Sequence, residues 1–199
     1  MRRWVKVREA GEMPEVVIRP FTTTDLPQLP TVITGYVTHE KYVVQKMETE
    51  AETAVTLKLV TLPGPKTFTY DHLDEAELDR LAGIVAEGFS FGAFVGKQLV
   101  GAALASPEHW NGSLRVWEFH VQETWRGQGL GRRLMEQVVE TAVTHHLRVI
   151  VCETQSSNVP AIRAYRRLGF VLDAVDLSFY SNEDVQKESV AVFMKRYVI

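Results

Sequence analysis

A chain of 199 residues, 45% hydrophobic and 24% charged, suits one folded domain with room for a sizeable core. Its 25 acidic against 22 basic residues leave a formal charge of −3, which gives no support for nucleic-acid binding and is compatible with a cationic substrate. No window approaches the roughly 20 continuous apolar residues of a membrane span, and charges interrupt MRRWVKVREAGEMPE before a signal peptide can form, so a cytoplasmic protein without a membrane partner is expected.

Residues 1–14 read as a polar N-terminal tail and 15–199 as one α/β unit. EVVIRP (15–20) predicts a first strand, and TTTDLPQLPTVITGY (22–36) a capped start of helix or irregular helical turns. From Lys41 to Tyr70 the chain carries β-favouring runs such as AVTLKLVTL, without a pattern that fixes their arrangement. DEAELDRLAGIVAEG (74–88) predicts a helix with an acidic first turn and a terminal Gly. SFGAFVGKQLVGAALASP (90–107) reads as two strands around a Gly-Lys turn, and NGSLRVWEFHVQ (111–122) as a third. Asn111-Gly112-Ser113 has the form of a glycosylation acceptor but is better read as a tight turn.

TWRGQGLGRRLMEQVV (124–139) then leads into a helix with Leu130, Leu134, Met135, Val138, Val139 and Ala142 on one face. LRVIVCE (147–153) is near-continuously apolar, as in a strand buried on both faces. The lone Cys152 lies within it and reads as a small buried residue rather than a reactive thiol, in a chain suited to a reducing compartment. Asn158 to Leu168 predicts a helix stopped by Gly169, and FVLDAVDLSFY and ESVAVFMKRYVI two closing strands. The pattern amounts to a mixed sheet with one strand-helix-strand crossover.

Amides at a helix N-terminus lack partners and carry the positive end of the dipole, so the glycine turn suits phosphate. Gly127, Gly129 and Gly131 clear side chains from the backbone, while Arg126 and Arg132 can add charge-assisted bonds and Arg133 can face water. A Walker loop fails because Arg132-Arg133 follow Gly131 where Lys-Ser/Thr is needed. A dinucleotide fingerprint starting at Gly127 would require Gly at position 132, although Glu153 stands where a ribose-binding acid would lie. A plain Gly-rich helix cap with solvated arginines stays open on the loop alone.

R-G-Q-G-L-G resembles the Arg/Gln-x-x-Gly-x-Gly/Ala signature of the GNAT acetyltransferase superfamily, between a strand and a helix as that family requires. NVPAIRAYRRLGF resembles the later GNAT motif in its Asn, Ala, Tyr and Gly-Phe spacing. With VDLSFYSN and ESVAVFMKR, the chain is similar to the branch containing streptothricin acetyltransferases, over about 15–199 and most clearly from Ser90 onward. The opening 70 residues, which shape the acceptor side in that family, carry no readable motif.

The resemblance implies the GNAT fold: a mixed, mostly antiparallel twisted sheet of about six or seven strands, helices on both faces, and a splay between the strands at 114–122 and 148–153. It implies acetyl-CoA as co-substrate, no metal, and a primary amine of a small molecule as acceptor, with a homodimer conceivable. CoA contacts would come from Phe119, His120, Val121, Arg126, Gly127, Gln128, Gly129, Leu130, Gly131, Arg132, Asn158, Ala161 and Tyr165. The pantetheine arm would pair with main-chain groups of Phe119 and Val121, and a free amide near His120 or Val121 could polarise the thioester carbonyl.

An ammonium cannot attack until a base removes its proton. Glu118 matches the family's acidic strand position and serves equally as a surface carboxylate that attracts the ammonium; His120 and Glu153 are alternative bases. Tyr165 matches the family's tyrosine, the acid for the departing thiolate, yet Ala161, Ile162, Tyr165 and Leu168 also form an apolar stripe that could bury it. Asn158 can contact pantetheine and cap its own helix. Arg163, Arg166 and Arg167 offer charge to the CoA 3′-phosphate, with at least two expected on a solvated face. His39, His72, His109, His145 and His146 show no ligand spacing. Rival functions are protein N-acetylation and a non-catalytic acyl-CoA-binding sensor.

Overall fold

The computed structural model describes residues 14–70 and 73–198, so the expected tail up to residue 13, and His72, lie outside the described residues. The chain runs β1 (Val16–Pro20), a 3₁₀ segment (Thr23–Thr31), β2 (Tyr36–Glu48), β3 (Thr53–Phe68), α1 (Glu75–Ala86), β4 (Phe91–Val95), β5 (Gln98–Glu108) and β6 (Ser113–Val121). A 3₁₀ turn (Glu123–Trp125) leads to α2 (Leu130–Thr144), followed by β7 (Val149–Gln155), α3 (Val159–Arg167), β8 (Val171–Asp176) and β9 (Ala191–Tyr197). Among the described residues no helix is long and apolar enough to cross a membrane.

Seven strands form one sheet in the order β1-β4-β5-β6-β7-β9-β8, and only β6 and β7 run parallel. A parallel pair needs a crossover, and α2 supplies it. Strand alternation divides the core in two. Ala103, Ala105, Leu114, Val116, Ile150 and Cys152 pack under α2 and α3, whereas Ala102 and Leu104 meet α1 and the first 3₁₀ segment through Leu81, Ile84, Leu26 and Leu29. This is the expected α+β sheet with helices on both faces.

The β-favouring stretch from Lys41 to Tyr70, with the residues just before it, forms a long hairpin: β2 and β3 pair antiparallel as a separate two-stranded sheet, with a register shift between Thr38 and Glu40. α3 holds it, through Arg163–Glu40 at 2.6 Å and Arg166 Nη1 donating to the Tyr42 hydroxyl at 3.0 Å. The Tyr42 amide also donates to the Ser156 carbonyl at 2.9 Å. Arg163, Arg166 and Arg167 are all exposed, as a solvated face requires, and the first two also reach the hairpin.

Local caps follow the sequence. Asp74 accepts from the Glu77 amide at 2.8 Å at the start of α1, and Asn158 from the Ala161 amide at 3.1 Å at the start of α3. The Asn111 side chain accepts from the Ser113 amide at 2.9 Å, making the Asn-Gly-Ser stretch a turn.

At the first 3₁₀ segment, Asp25 accepts from the Thr22 amide at 2.9 Å and from both terminal nitrogens of Arg19 at 2.8 Å. Arg19 holds the Asp25 carboxyl down at about 2. A lowered carboxyl contributes stability above its unfolded pKa and loses it as pH falls through the folded one. Asp25→Ala should therefore destabilise the fold by about 2 kcal/mol at neutral pH, and urea melts of the two proteins should converge between pH 4 and pH 2.

Candidate active site

The last turns of β6 leave β7. Ser113 to Val116 pair with Val149 to Cys152, and no pairing continues to Glu153 or Gln155. The parting coincides with a bulge: Leu104 of β5 faces Glu118 and Ala105 faces Val116, so Trp117 is the extra residue. Beyond it β6 stays paired to β5 alone. The Gln122 amide donates to the Val100 carbonyl at 2.9 Å, so by alternation Glu118 and His120 turn their main-chain groups toward β5 and Phe119 and Val121 turn theirs into the gap.

The gap ends at the N-terminus of α2. Gly127 and Gly129 sit at φ +75° and +81°, where L side chains are strained, and a Cβ on either would meet no protein atom within 4 Å. A Cβ on Gly131 would lie 3.6 Å from the Phe119 ring. The Arg133 amide makes the helix's first backbone bond, to Gly129 at 3.1 Å, so the amides of Leu130, Gly131 and Arg132 precede the first intrahelical partner.

Side chains brace this loop. Arg126 Nε donates to the Val121 carbonyl at 2.9 Å and its Nη2 to the Thr34 hydroxyl at 3.3 Å, while Gln128 Nε2 donates to the Thr124 carbonyl at 2.8 Å. Arg133, expected to face water, reaches the Val16 carbonyl at 3.1 Å. Leu130 is buried against Ala93 and Val100. Arg132 lines a cavity of about 230 Å³ with Glu136, Arg167, Leu168, Gly169 and Arg196.

On the opposite face of β6, Glu118 and His120 are bonded, Oε2 to Nε2, at 2.6 Å. The Tyr70 ring meets His120 edge-on at 6.1 Å and leans on Tyr36 at 6.3 Å, and Tyr36 stacks on Phe68 at 4.7 Å. Asn158 Nδ2 donates to the Tyr70 hydroxyl at 3.4 Å. Burial, then the nearby Tyr36 phenol and the charges of Glu118 and Glu153, push the Tyr70 phenol up to about 12. Glu153 lies on β7 one residue past its last pairing with β6 and accepts a hydrogen bond from the Tyr180 hydroxyl. Burial raises the Glu153 carboxyl, with Tyr180 and Arg115 opposing.

Tyr165 lies on α3 at 8% exposure, between Phe119 at 6.1 Å and Phe170 at 5.6 Å. Burial raises its hydroxyl well above the usual value, so it stays a proton donor across any ordinary pH. Cys152, fully buried beside it, is pushed up by burial with a smaller opposing effect from the Tyr165 hydroxyl, which makes it an inert thiol.

The structure thus gathers Glu118, His120, Glu153, Asn158 and Tyr165 around the gap, with Phe119, Val121 and the glycine turn on its edge. Ala161 sits in the first turn of α3, half-buried against the core. Sequence reading missed Tyr36, Phe68, Tyr70 and Tyr180, which come from the hairpin and the segment after β8. Their β-favouring aromatic character was visible; their convergence was not.

The acetyltransferase (GNAT) family model matches residues 56–170. Streptothricin acetyltransferase of Escherichia coli is 32% identical over 103 residues, 52% of this chain and 59% of that protein. The chain spans about half the length of the curated relatives it matches. Nourseothricin acetyltransferase has a similar structure, with a TM-score of 0.69 at 24% identity over 92% of this chain and 99% of that one. A structure from Bacillus anthracis str. Ames in complex with acetyl coenzyme A gives a TM-score of 0.70 at 20% identity, covering 92% and 98%. These two likenesses are likenesses of fold.

Proposed function

The chain belongs to the acetyltransferase (GNAT) family, and on that premise we propose that residues 15–199 form one domain that transfers acetyl from acetyl-CoA to a primary amine of a small molecule. The observation that carries the reading is the edge of β6 left by β7 at Phe119 and the Val121 amide, the Val121 carbonyl being held by Arg126, running to uncapped amides at the N-terminus of α2. The residues fit CoA. Amides from Gly127 to Arg132 suit a pyrophosphate, with open space where glycine Cβ atoms would stand. The Phe119 main chain and the Val121 amide suit an amide-bearing arm added like a strand. Arg132, Arg167 and Arg196 around one cavity suit the 3′-phosphate.

Acetyl-CoA supplies an activated acetyl group as a thioester. The Val121 amide faces the gap and is the donor for the thioester carbonyl, whereas the His120 amide turns toward β5. Glu118 and His120, bonded to each other, take the proton from the acceptor ammonium. Tyr165, kept protonated by burial, gives a proton to the departing thiolate. The acceptor enters on the face of Tyr36, Tyr70, Glu118 and Glu153, where carboxylates and aromatic rings suit a cation. Relatives named streptothricin acetyltransferases support an antibiotic-like amine over a peptide.

Glu118→Gln should lower kcat about tenfold, and not further, because His120 keeps its place; steady-state rates at fixed acetyl-CoA check this. The test of the reading is incubation with acetyl-CoA and an amine panel containing a streptothricin, an aminoglycoside and a lysine peptide, following thiol release and acetylated product by mass. Product on the small amines supports it. Product on the peptide alone makes the chain a protein acetyltransferase, and tight acetyl-CoA binding without product makes it a sensor.

A further inference from the structure

We infer that Glu153 is an acceptor-binding carboxylate, separate from the Glu118–His120 pair, and that Tyr180, on the segment between β8 and β9, is the positioning residue that aims it. This deepens the acetyl transfer proposed above and rests on it; nothing in the matched residues 56–170 includes Tyr180.

Glu153 is half-buried on β7, one residue beyond the last pair with β6, where β6 has already parted from it. Its Cα partner on β9 is the apolar Phe193, and Lys195, on the same face two residues on, is paired with Asp173 at 2.5 Å. The groups that face it are Tyr180 from the β8–β9 segment, Arg115 and Glu118 from β6, Tyr70 after β3, and Tyr165 from α3. Arg115, the one cation among these, is shared: its guanidinium stands 4.4 Å from the Trp117 ring centroid and 3.9 Å from Glu108. A carboxylate drawn out of water, with a like charge from Glu118 nearby and its one cation shared, is stabilised by an arriving ammonium.

Tyr180 is built to hold still. Its amide donates to Asp184 Oδ2 at 2.8 Å, and Ser181 donates to Asp184 Oδ1 at 2.7 Å, with Asp184 buried at 2% exposure. Phe179 beside it packs edge-on against Phe193 at 5.5 Å. The segment is further tied to the hairpin by the Lys41–Glu188 ion pair. The tyrosine hydroxyl therefore reaches Glu153 from a fixed frame, and that bond is one of the contributions opposing the burial that raises the carboxyl.

The test is a double-mutant cycle on the full chain, with Tyr180→Phe, Glu153→Gln and the pair, using the best amine of the panel as probe. Phe keeps the ring that meets Phe179 at 5.2 Å. Each single change should raise KM for the amine about tenfold, leave KM for acetyl-CoA within about twofold, and the pair should be no worse than Glu153→Gln. With the hydroxyl gone, the Glu153 carboxyl titrates higher, so the acid limb of kcat/KM for the amine should move to higher pH in Tyr180→Phe. Wild-type-like amine KM and pH profile in Tyr180→Phe, additive effects, or an equal loss for acetyl-CoA would overturn the inference alone. Absence of transfer by the wild-type chain would take down the parent reading with it.

Discussion

Tyr165→Phe is expected to lower kcat about 100-fold, the range of a lost general acid, while acetyl-CoA affinity changes by less than about threefold. The ring packs against Phe119 and Phe170 at 6.1 and 5.6 Å, and Phe preserves both contacts, so the substitution removes a proton donor and little else. Burial keeps the hydroxyl protonated well above the ordinary phenol range, so the loss should be the same at every assay pH. Single-turnover kinetics separate the chemical step from product release. Unchanged turnover would return Tyr165 to the apolar stripe of α3 as a core residue.

Gly129→Val should weaken acetyl-CoA binding at least 100-fold, because the backbone that presents the amides of α2 would have to leave φ +81° or carry a branched side chain into the phosphate's place. Left-handed strain of ~1–2 kcal/mol should lower Tm by roughly 2 to 8 °C, leaving a folded protein for calorimetry. Gly88→Val supplies the control. Gly88 has φ +84° with equally open space at the end of α1, so it carries similar strain away from the loop and should bind acetyl-CoA normally.

What could be read from the sequence was local. The glycine turn, the apolar face of α2 and the caps at Asp74 and Asn158 depend on residues a turn or two apart, and each stands where its chemistry put it. The apolar run of β7 announced a buried strand for the same reason. Strand order is set by pairing between distant segments, so the insertion of β9 between β7 and β8 left no local trace. The bulge at Trp117 is likewise invisible in RVWEFHV, yet it sets which amides of β6 face the gap. Arg163 and Arg166 are solvated as their helix face suggested, but their bonds to the hairpin depend on a distant segment and left no local sign. The face proposed for the acceptor draws on Tyr36, Tyr70, Glu118, Glu153 and Tyr180, spread over most of the chain, and only the fold brings them together.

The loop's arginines also divide by partner. Arg126 and Arg133 spend their guanidinium bonds on the Val121 and Val16 carbonyls, which fixes the turn against β6 and β1. Arg132 opens on the cavity shared with Arg167 and Arg196. The proposed anion site accordingly combines the α2 amides with that arginine-lined cavity, and Arg126 is bonded to Val121 and Thr34.

Amide hydrogen exchange with and without saturating acetyl-CoA tests the proposed CoA site most directly, since it reads the main-chain groups that would form the binding surface. Protection is expected over Phe119 to Val121 and Gly127 to Arg132, with the far end of the hairpin, around Met47 to Val55, unaffected. Saturation by acetyl-CoA without slowed exchange in either of those two segments would contradict the assignment of the β6 edge and the α2 N-terminus as its site.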